Sequence, residues 1–268
     1  MPHYAVVVTE PLNKPPVVAL LSVGIIGGLL AGFFGVGGGI VMVPLLLVWA
    51  KMDQRRAQAS SLLAIAPAAL VGTASYAVGG VFPILPALLV ALGALAGAQV
   101  GAWLLRKLSL GWLEWTFIVF VAAIATVVVF TVPNRGVSLE LDLVTAAGLA
   151  GIGVVMGIAA GLFGIGGGII AIPALMIFFG VGDLEAKGVS LIAMAPAALS
   201  GSVSHLRHKV ATLRDGLWVA LAALIATPLG SLGAFIIPEQ LANIIFGGFG
   251  LLIATTLLIR AIRRRRNP

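Results

Sequence analysis

The chain contains no cysteine, which excludes disulfides, thiolate metal ligands and a cysteine nucleophile and leaves the compartment open. Charge is scarce as well: 9% of the 268 residues are Asp, Glu, Lys or Arg, against roughly a quarter in an ordinary soluble domain. Of the three histidines only His205 and His208 lie close together, too few for a convincing metal centre. No G-x-x-x-x-G-K-[ST] run occurs, so the chain lacks a P-loop of its own. The serines of the apolar segments have no histidine or carboxylate at their depth, which argues against an intramembrane enzyme. No cofactor and no metal are expected. Residues 1 to 15 are polar, with prolines at Pro2, Pro11 and Pro15, and lack the charged start and short apolar core of a cleavable leader, so the first apolar span has to direct insertion.

What fills the chain instead is hydrocarbon. Hydrophobic residues make up 60% of it, and runs of about 20 apolar residues, long enough to cross a bilayer, recur from Pro16 to Ile262. They leave no stretch for a separate soluble domain, so residues 1–268 read as one all-α membrane domain whose main partner is the lipid bilayer. The net charge of +7 does not point to nucleic acid: the basic residues sit in short joints and in the tail Arg260, Arg263, Arg264, Arg265 and Arg266, where they set topology.

An offset of 129 residues lays one half of the chain on the other. GFFGVGGGIVMVP (Gly32 to Pro44) falls on GLFGIGGGIIAIP (Gly161 to Pro173), with eight of thirteen positions identical. Without a gap, AQASSLLAIAPAAL (Ala57 to Leu70) then falls on AKGVSLIAMAPAAL (Ala186 to Leu199). The repeats run from about 16 to 133 and from about 143 to 262. The register also pairs Gly24, Gly28 and Gly32 with Gly153, Gly157 and Gly161; small residues four apart share one helix face and let backbones approach closely in lipid, so these six read as packing glycines.

Ten apolar segments are predicted, near 16–34, 38–50, 60–78, 82–105, 112–132, 143–163, 167–181, 189–206, 215–237 and 241–262. Lys and Arg crowd alternate joints: Lys51, Arg55 and Arg56; Arg106 and Lys107; Arg207, Lys209 and Arg214; and the C-terminal arginines. These belong in the cytoplasm. The joint at Gly79 to Pro83, the one holding Arg135, Glu140 and Asp142, the one holding Asp183, Glu185 and Lys187, and the one at Pro238 and Glu239 belong outside. Five segments per copy then place the copies in opposite orientations, with both termini cytoplasmic, in an inner membrane. Inverted repeats recur in secondary transporters. Pro16 to Ala50 is 35 residues, short of the roughly 40 that two full spans need, so each glycine-rich motif reads either as a hairpin or as a broken helix.

Gly35, Gly37, Gly38 and Gly39, with their partners Gly164, Gly166, Gly167 and Gly168, are too dense for helix, since each interior glycine costs up to about 1 kcal/mol relative to alanine. Open backbone survives at membrane depth only where it is buried in protein or lines a cavity. Each run precedes an apolar helix whose free N–H groups and positive dipole end suit an anion, which makes the runs the first candidates for a binding site, with a packing hinge as the alternative. Pro67 and Pro196 form a second pair, each expected to free a carbonyl four residues earlier, at Leu63 and Ile192, and each preceded by a serine, Ser61 and Ser190, able to offer a hydroxyl or to bond its own backbone. Secondary candidates are Gln99 and Thr227 inside spans four and nine, and His205 and Arg207 beside His208 and Lys209, where anions could gather. No ionisable residue lies in the middle of a proposed span, so neutral donors would hold the anion and any proton would travel on the substrate. A homodimer is conceivable through small-residue stripes such as Gly93, Gly97 and Gly101.

The doubled motif G-x-F-G-[VI]-G-G-G-x-x-x-x-P, each copy followed by a Ser-Leu run into Ala-Pro, resembles the signature of the TauE/SafE permeases from Gly24 to Ile262. The resemblance implies export of a small sulfur-containing anion, sulfite or an organosulfonate such as sulfoacetate, with the backbone at Gly35 to Gly39 and Gly164 to Gly168 as binding elements beside Ser61 and Ser190. Uptake or passive conduction of a related anion such as thiosulfate, and a receptor or assembly role without transport, stay open. In one departure the second copy places His205 and a basic cluster where the first has Tyr76 and an uncharged GGV, so the halves could divide labour.

Overall fold

The computed structural model describes residues 15–130 and 142–266; the joint residues Arg135 and Glu140 lie outside them, as do the N-terminal fourteen residues. Among the described residues ten helices follow one another: α1 (Val17–Phe34), α2 (Gly39–Val48), α3 (Gln54–Val78), α4 (Ile84–Lys107), α5 (Leu110–Phe130), α6 (Leu143–Phe163), α7 (Gly168–Phe179), α8 (Asp183–Arg207), α9 (Leu213–Ile236) and α10 (Glu239–Arg266). No strand occurs among the described residues. Six of the helices, α1, α3, α4, α6, α8 and α9, are long and apolar enough to cross a membrane. The molecule is an all-α polytopic membrane protein.

The side-chain distribution shows which solvent surrounds it. Along α9 most of the buried positions are small, among them Gly216, Ala220, Ala223, Ala226 and Gly230, while Leu221, Ile225, Leu229, Leu232 and Ile236 face outward. Small residues inside and large apolar ones outside suit a helix that meets its neighbours backbone to backbone and lipid on its free face; in water so large an apolar surface would aggregate.

Two helix pairs rest on the glycine stripes. On α1, Gly24, Gly28 and Gly32 press against Val219, Ala223 and Thr227 of α9; on α6, Gly153, Gly157 and Gly161 press against Val90, Ala94 and Ala98 of α4. A Cβ at any of the six would run into a neighbouring backbone carbonyl. The two sets are the same contacts, one repeat apart and with the halves exchanged. In both pairs the residue numbers rise together, so the helices are parallel. Gly93, Gly97 and Gly101 sit on the other side of the same interface, against Ala150, Val154 and Ile158 of α6. That stripe is consumed within the chain, which corrects the idea that it is open to a second copy.

At the centre α3 crosses α8, with Gly72 against Leu191 and Gly201 against Leu62. Here numbers rise on one helix as they fall on the other, so α3 and its repeat counterpart α8 run antiparallel. Helix α3 also packs on α9 and α8 on α4, while α5 pairs with α10.

Both central helices begin about one and a half turns before the positions read from hydropathy: α3 at Gln54 rather than near 60, and α8 at Asp183 rather than near 189. Polar first turns hid them. The Asp53 carboxylate accepts the Arg56 backbone N–H at 3.0 Å as an N-cap, and Asp183 and Glu185 occupy the first turn of α8, where acids favour the positive end of the dipole. The stretch Asp183 to Lys187, expected as a joint, is therefore helix.

Candidate functional site: two joined glycine gaps

Helix α1 stops at Gly35, which takes the left-handed conformation (φ 67°) and donates its N–H to the Ala31 carbonyl. Gly37 and Gly38 follow with φ of 79° and 71°, and α2 starts at Gly39. The second half repeats this at Gly164, Gly166 and Gly167, with φ of 65°, 81° and 81°, and α7 starts at Gly168. Three left-handed residues in four demand glycine, because any other L-residue there costs roughly 1–2 kcal/mol. The runs are therefore gaps in helix, as their composition implied. Each short helix also folds back on the one before it: Gly38 lies against Gly27 and Ala31, and Gly167 against Met156. At 10 and 12 residues, α2 and α7 reach only about 15–18 Å, half a bilayer.

The two gaps touch. Gly39, the first residue of α2, packs on the Gly164 carbonyl and on Ile165; Gly168, the first of α7, packs on the Gly35 carbonyl and on Val36. Each helix N-terminus thus abuts the gap of the other half. Ser61 Oγ donates to the Gly164 carbonyl at 2.8 Å, and Ser190 Oγ donates to the Gly35 carbonyl at 3.1 Å. Ser61 and Ser190 are repeat counterparts, as are Gly35 and Gly164, so the bonds cross between halves reciprocally. Instead of bonding their own helices, the serines tie the gaps together. Ile65 and Met194, again counterparts, both border Gly37 and Gly166. Every gap residue from Gly35 to Gly39 and from Gly164 to Gly168 is buried.

Sequence reasoning missed the residues one turn before the serines. On α8 the stem of Lys187 lies against Gly35, with Cβ and Cγ both 2.7 Å from where a Gly35 Cβ would stand. Lys187 is 4% exposed, and its Nζ is paired with Asp183 four residues earlier. The counterparts on α3 are neutral: Gln58 for Lys187 and Gln54 for Asp183. The Gln58 backbone lies against Gly164, its side chain is 0% exposed, and neither its Nε2 nor its Oε1 has a hydrogen-bond partner. Leaving a buried amide unpaired costs about 1–3 kcal/mol per group. One gap is thus flanked by an ion pair and the other by an amide without a partner. The repeat alignment already held this signal, since it sets Gln-x-x-x-Gln against Asp-x-x-x-Lys at i, i+4 spacing.

A second buried ion pair joins α3 to α9, where Arg56 Nε and Nη2 donate to Asp215 Oδ2 at 3.0 and 2.7 Å. Arg56, read as a topology marker, is thereby an interior residue.

The remaining candidates fall away from the gaps. Pro67 and Pro196 lie inside the unbroken helices α3 and α8, two residues beyond Ile65 and Met194, at the crossing rather than in the gaps. Gln99 is exposed and donates to the Ser200 hydroxyl and carbonyl at the surface of α8. Thr227 returns its hydroxyl to the Ala223 carbonyl of its own helix at 2.7 Å. Arg207 is exposed at the end of α8. His205 is buried with Nε2 3.1 Å from the Gly161 carbonyl, and its counterpart Tyr76 donates to the Gly32 carbonyl at 3.1 Å; the two different side chains hold equivalent helix joints.

A family profile described as "Sulfite exporter TauE/SafE" matches residues 5–128 and 149–268. A Bacillus subtilis protein named "Probable membrane transporter protein YunE" is 27% identical over 213 residues, 70% of this chain and 78% of its own length. A Xylella fastidiosa (strain 9a5c) "Probable membrane transporter protein" is 26% identical over 261 residues, 91% of this chain and 95% of its own. No solved structure matches significantly. With its profile spanning both halves and both glycine gaps, the chain belongs to the TauE/SafE family of membrane transporters.

Proposed function

We propose that the protein is a secondary transporter that exports a small sulfur-containing anion, sulfite or an organosulfonate such as sulfoacetate, across the inner membrane, and that the joined glycine gaps are its substrate site. The observation that carries this reading is the crossed contact of the gaps. Two helix N-termini, those of α2 and α7, converge on unwound, fully buried backbone, and free N–H groups at helix starts favour anions. Discontinuous helices meeting at a repeat interface are where carriers of this general design bind solute. The protein acts without chemistry of its own, as a carrier and not an enzyme.

The antiparallel crossing of α3 and α8 supports inverted repeats, about 16–133 and 143–262 within one transmembrane domain, because counterpart helices that each cross the bilayer in opposite directions belong to oppositely inserted copies. The parallel pairs α1 with α9 and α4 with α6 fit the same alternation, which we read with Lys51, Arg106 and both termini in the cytoplasm, on the side that the basic joints favour. Lys187, paired with Asp183, then lies toward the outside beside the first gap, and Gln58 toward the cytoplasm beside the second. A homodimer would need a face other than the Gly93 stripe.

Flux of sulfite, sulfoacetate, taurine and thiosulfate into proteoliposomes tests the reading. Saturable uptake of one of them with counterflow is expected. Flux that never saturates would make the protein a channel, and no flux of any of the four, in protein shown to be inserted and folded, would overturn the proposal. An imposed pH gradient that leaves the flux unchanged would remove the idea that a proton rides on the substrate.

A further inference from the structure

One face of α3 carries Gln54, Gln58, Ser61 and Ile65, spaced i, i+4, i+7 and i+11, which aligns them in a single row. The row has a defined outer end and a defined inner end. At the outer end Gln54 borders a cavity of about 230 Å³ that also touches Lys51, Asp53 and Glu114. At the inner end Ser61 bonds the Gly164 carbonyl and Ile65 borders Gly37 and Gly166. Between them Gln58 is buried with both amide atoms unpartnered, and Nε2 of Gln54 is buried and unpartnered too. Buried polar groups in native proteins almost always have partners, and a row of unpaired ones leading from a cavity to a gap calls for a visiting ligand rather than a permanent one.

We propose that Gln54 and Gln58 are a donor ladder along which the anion passes from the cavity to the Gly164 gap, with Gln58 as its ligand at the inner end. The inference deepens the functional reading above and rests on it for the substrate's charge. A primary amide suits the task. Its NH2 donates to an anion's oxygens, its carbonyl accepts from a monoprotonated oxyanion or from bound water, and being neutral it does not trap the solute as a fixed ammonium would. The cavity wall fits a filter rather than a sink: Lys51 attracts and Glu114 repels, while Asp53 is engaged in capping Arg56. On the far side the Lys187 and Asp183 pair stands where Gln58 and Gln54 stand here, with the Lys187 stem against Gly35 of the other gap.

The absence of cysteine makes the natural chain ready for single-thiol mapping. Full-length protein in liposomes carrying Gln54→Cys, Gln58→Cys or, as a control on the same helix, the fully buried Ala59→Cys is treated with an anionic sulfonatoethyl and a cationic trimethylammonioethyl methanethiosulfonate. After each rate is divided by that of a free thiol, the expected order is Gln54→Cys, then Gln58→Cys, with Ala59→Cys silent, and the anionic reagent favoured by about tenfold or more, as for a field that selects anions. A Gln58→Cys thiol as silent as the Ala59→Cys thiol, or a preference for the cation, overturns the ladder. Gln58→Leu supplies a second arm in case the thiol variant misfolds. Removing an amide that has no partner in the fold leaves the melting temperature unchanged or higher, whereas a drop beyond about 4 °C would place Gln58 in the architecture and overturn its role as a ligand. Sulfoacetate is then added to the labelling. Slowed modification of Gln58→Cys supports both the ladder and the substrate class; an unchanged rate on an otherwise intact labelling pattern supports the ladder and counts against sulfonate as the cargo.

Discussion

The two gaps are built alike and furnished differently. Each has three left-handed glycines, a serine hydroxyl from the opposite half on its first carbonyl, and the same border of Ile65 and Met194. What differs lies one and two turns before the serine: Lys187 and Asp183 beside the first gap, Gln58 and Gln54 beside the second. The backbone thus follows two-fold logic while the side chains break it. Shared features are where the architecture constrains the chain, and unshared ones are where the two sides of a membrane can be told apart.

The comparison is sharpened first by filling the gaps. Gly38→Leu and Gly167→Leu each force a side chain onto a left-handed position and into the preceding helix, at Gly27 and at Met156. Strain and overpacking together amount to about 2–5 kcal/mol, so substrate affinity is expected to fall by at least about 30-fold in each, measured by equilibrium binding to protein that still inserts. An effect confined to one variant would mean that only one gap serves.

Next in size is the broken pair. Asp183→Asn leaves the Lys187 ammonium buried without its partner, a change that costs about 3–5 kcal/mol for interior pairs and is expected to lower the melting temperature clearly. Changing both residues, Asp183→Gln with Lys187→Gln, copies the other half and is expected to recover most of that loss. If the double variant melts no higher than the single one, the ion pair does more than neutralise itself.

The serines come third. Ser61→Ala and Ser190→Ala each remove one crossed hydrogen bond and are expected to cost about 1 kcal/mol apiece, equal within about 0.5 kcal/mol, by chemical denaturation. Clearly unequal values would break the equivalence of the gaps. Smallest of all is Gln99→Leu, a change at an exposed helix contact, expected to stay within about 0.5 kcal/mol and to leave transport unchanged.

The sequence carried the architecture well because the same physics acts twice. Glycine density marked Gly35 to Gly39 and Gly164 to Gly168, and four-residue glycine spacing marked the α1 and α6 interfaces, since nothing but glycine fits where backbones touch. The starts of α3 and α8 escaped because hydropathy cannot see a polar helical turn: Gln54 to Arg56 and Asp183 to Lys187 look like loop until a cap and an i, i+4 pair are considered. The candidate site was legible only in its backbone. Whether Ser61 and Ser190 bond their own helices or the opposite gap depends on how the halves interlock, which periodicity does not encode. The same holds for Lys187, a charge on paper at a loop and in space against Gly35. Gln99 and Thr227 drew notice simply as polar residues in apolar spans, and each satisfies a local or surface bond instead.

A structure of the protein with sulfoacetate bound, in a lipid environment, decides whether the joined gaps hold the anion. Density for the anion is expected against the peptide N–H groups of residues 36–39 and 165–168, since Gly35 and Gly164 already donate theirs to Ala31 and Ala160. Density instead at the exposed basic end of α8, around Arg207, with both gaps still sealed upon each other, would contradict that placement.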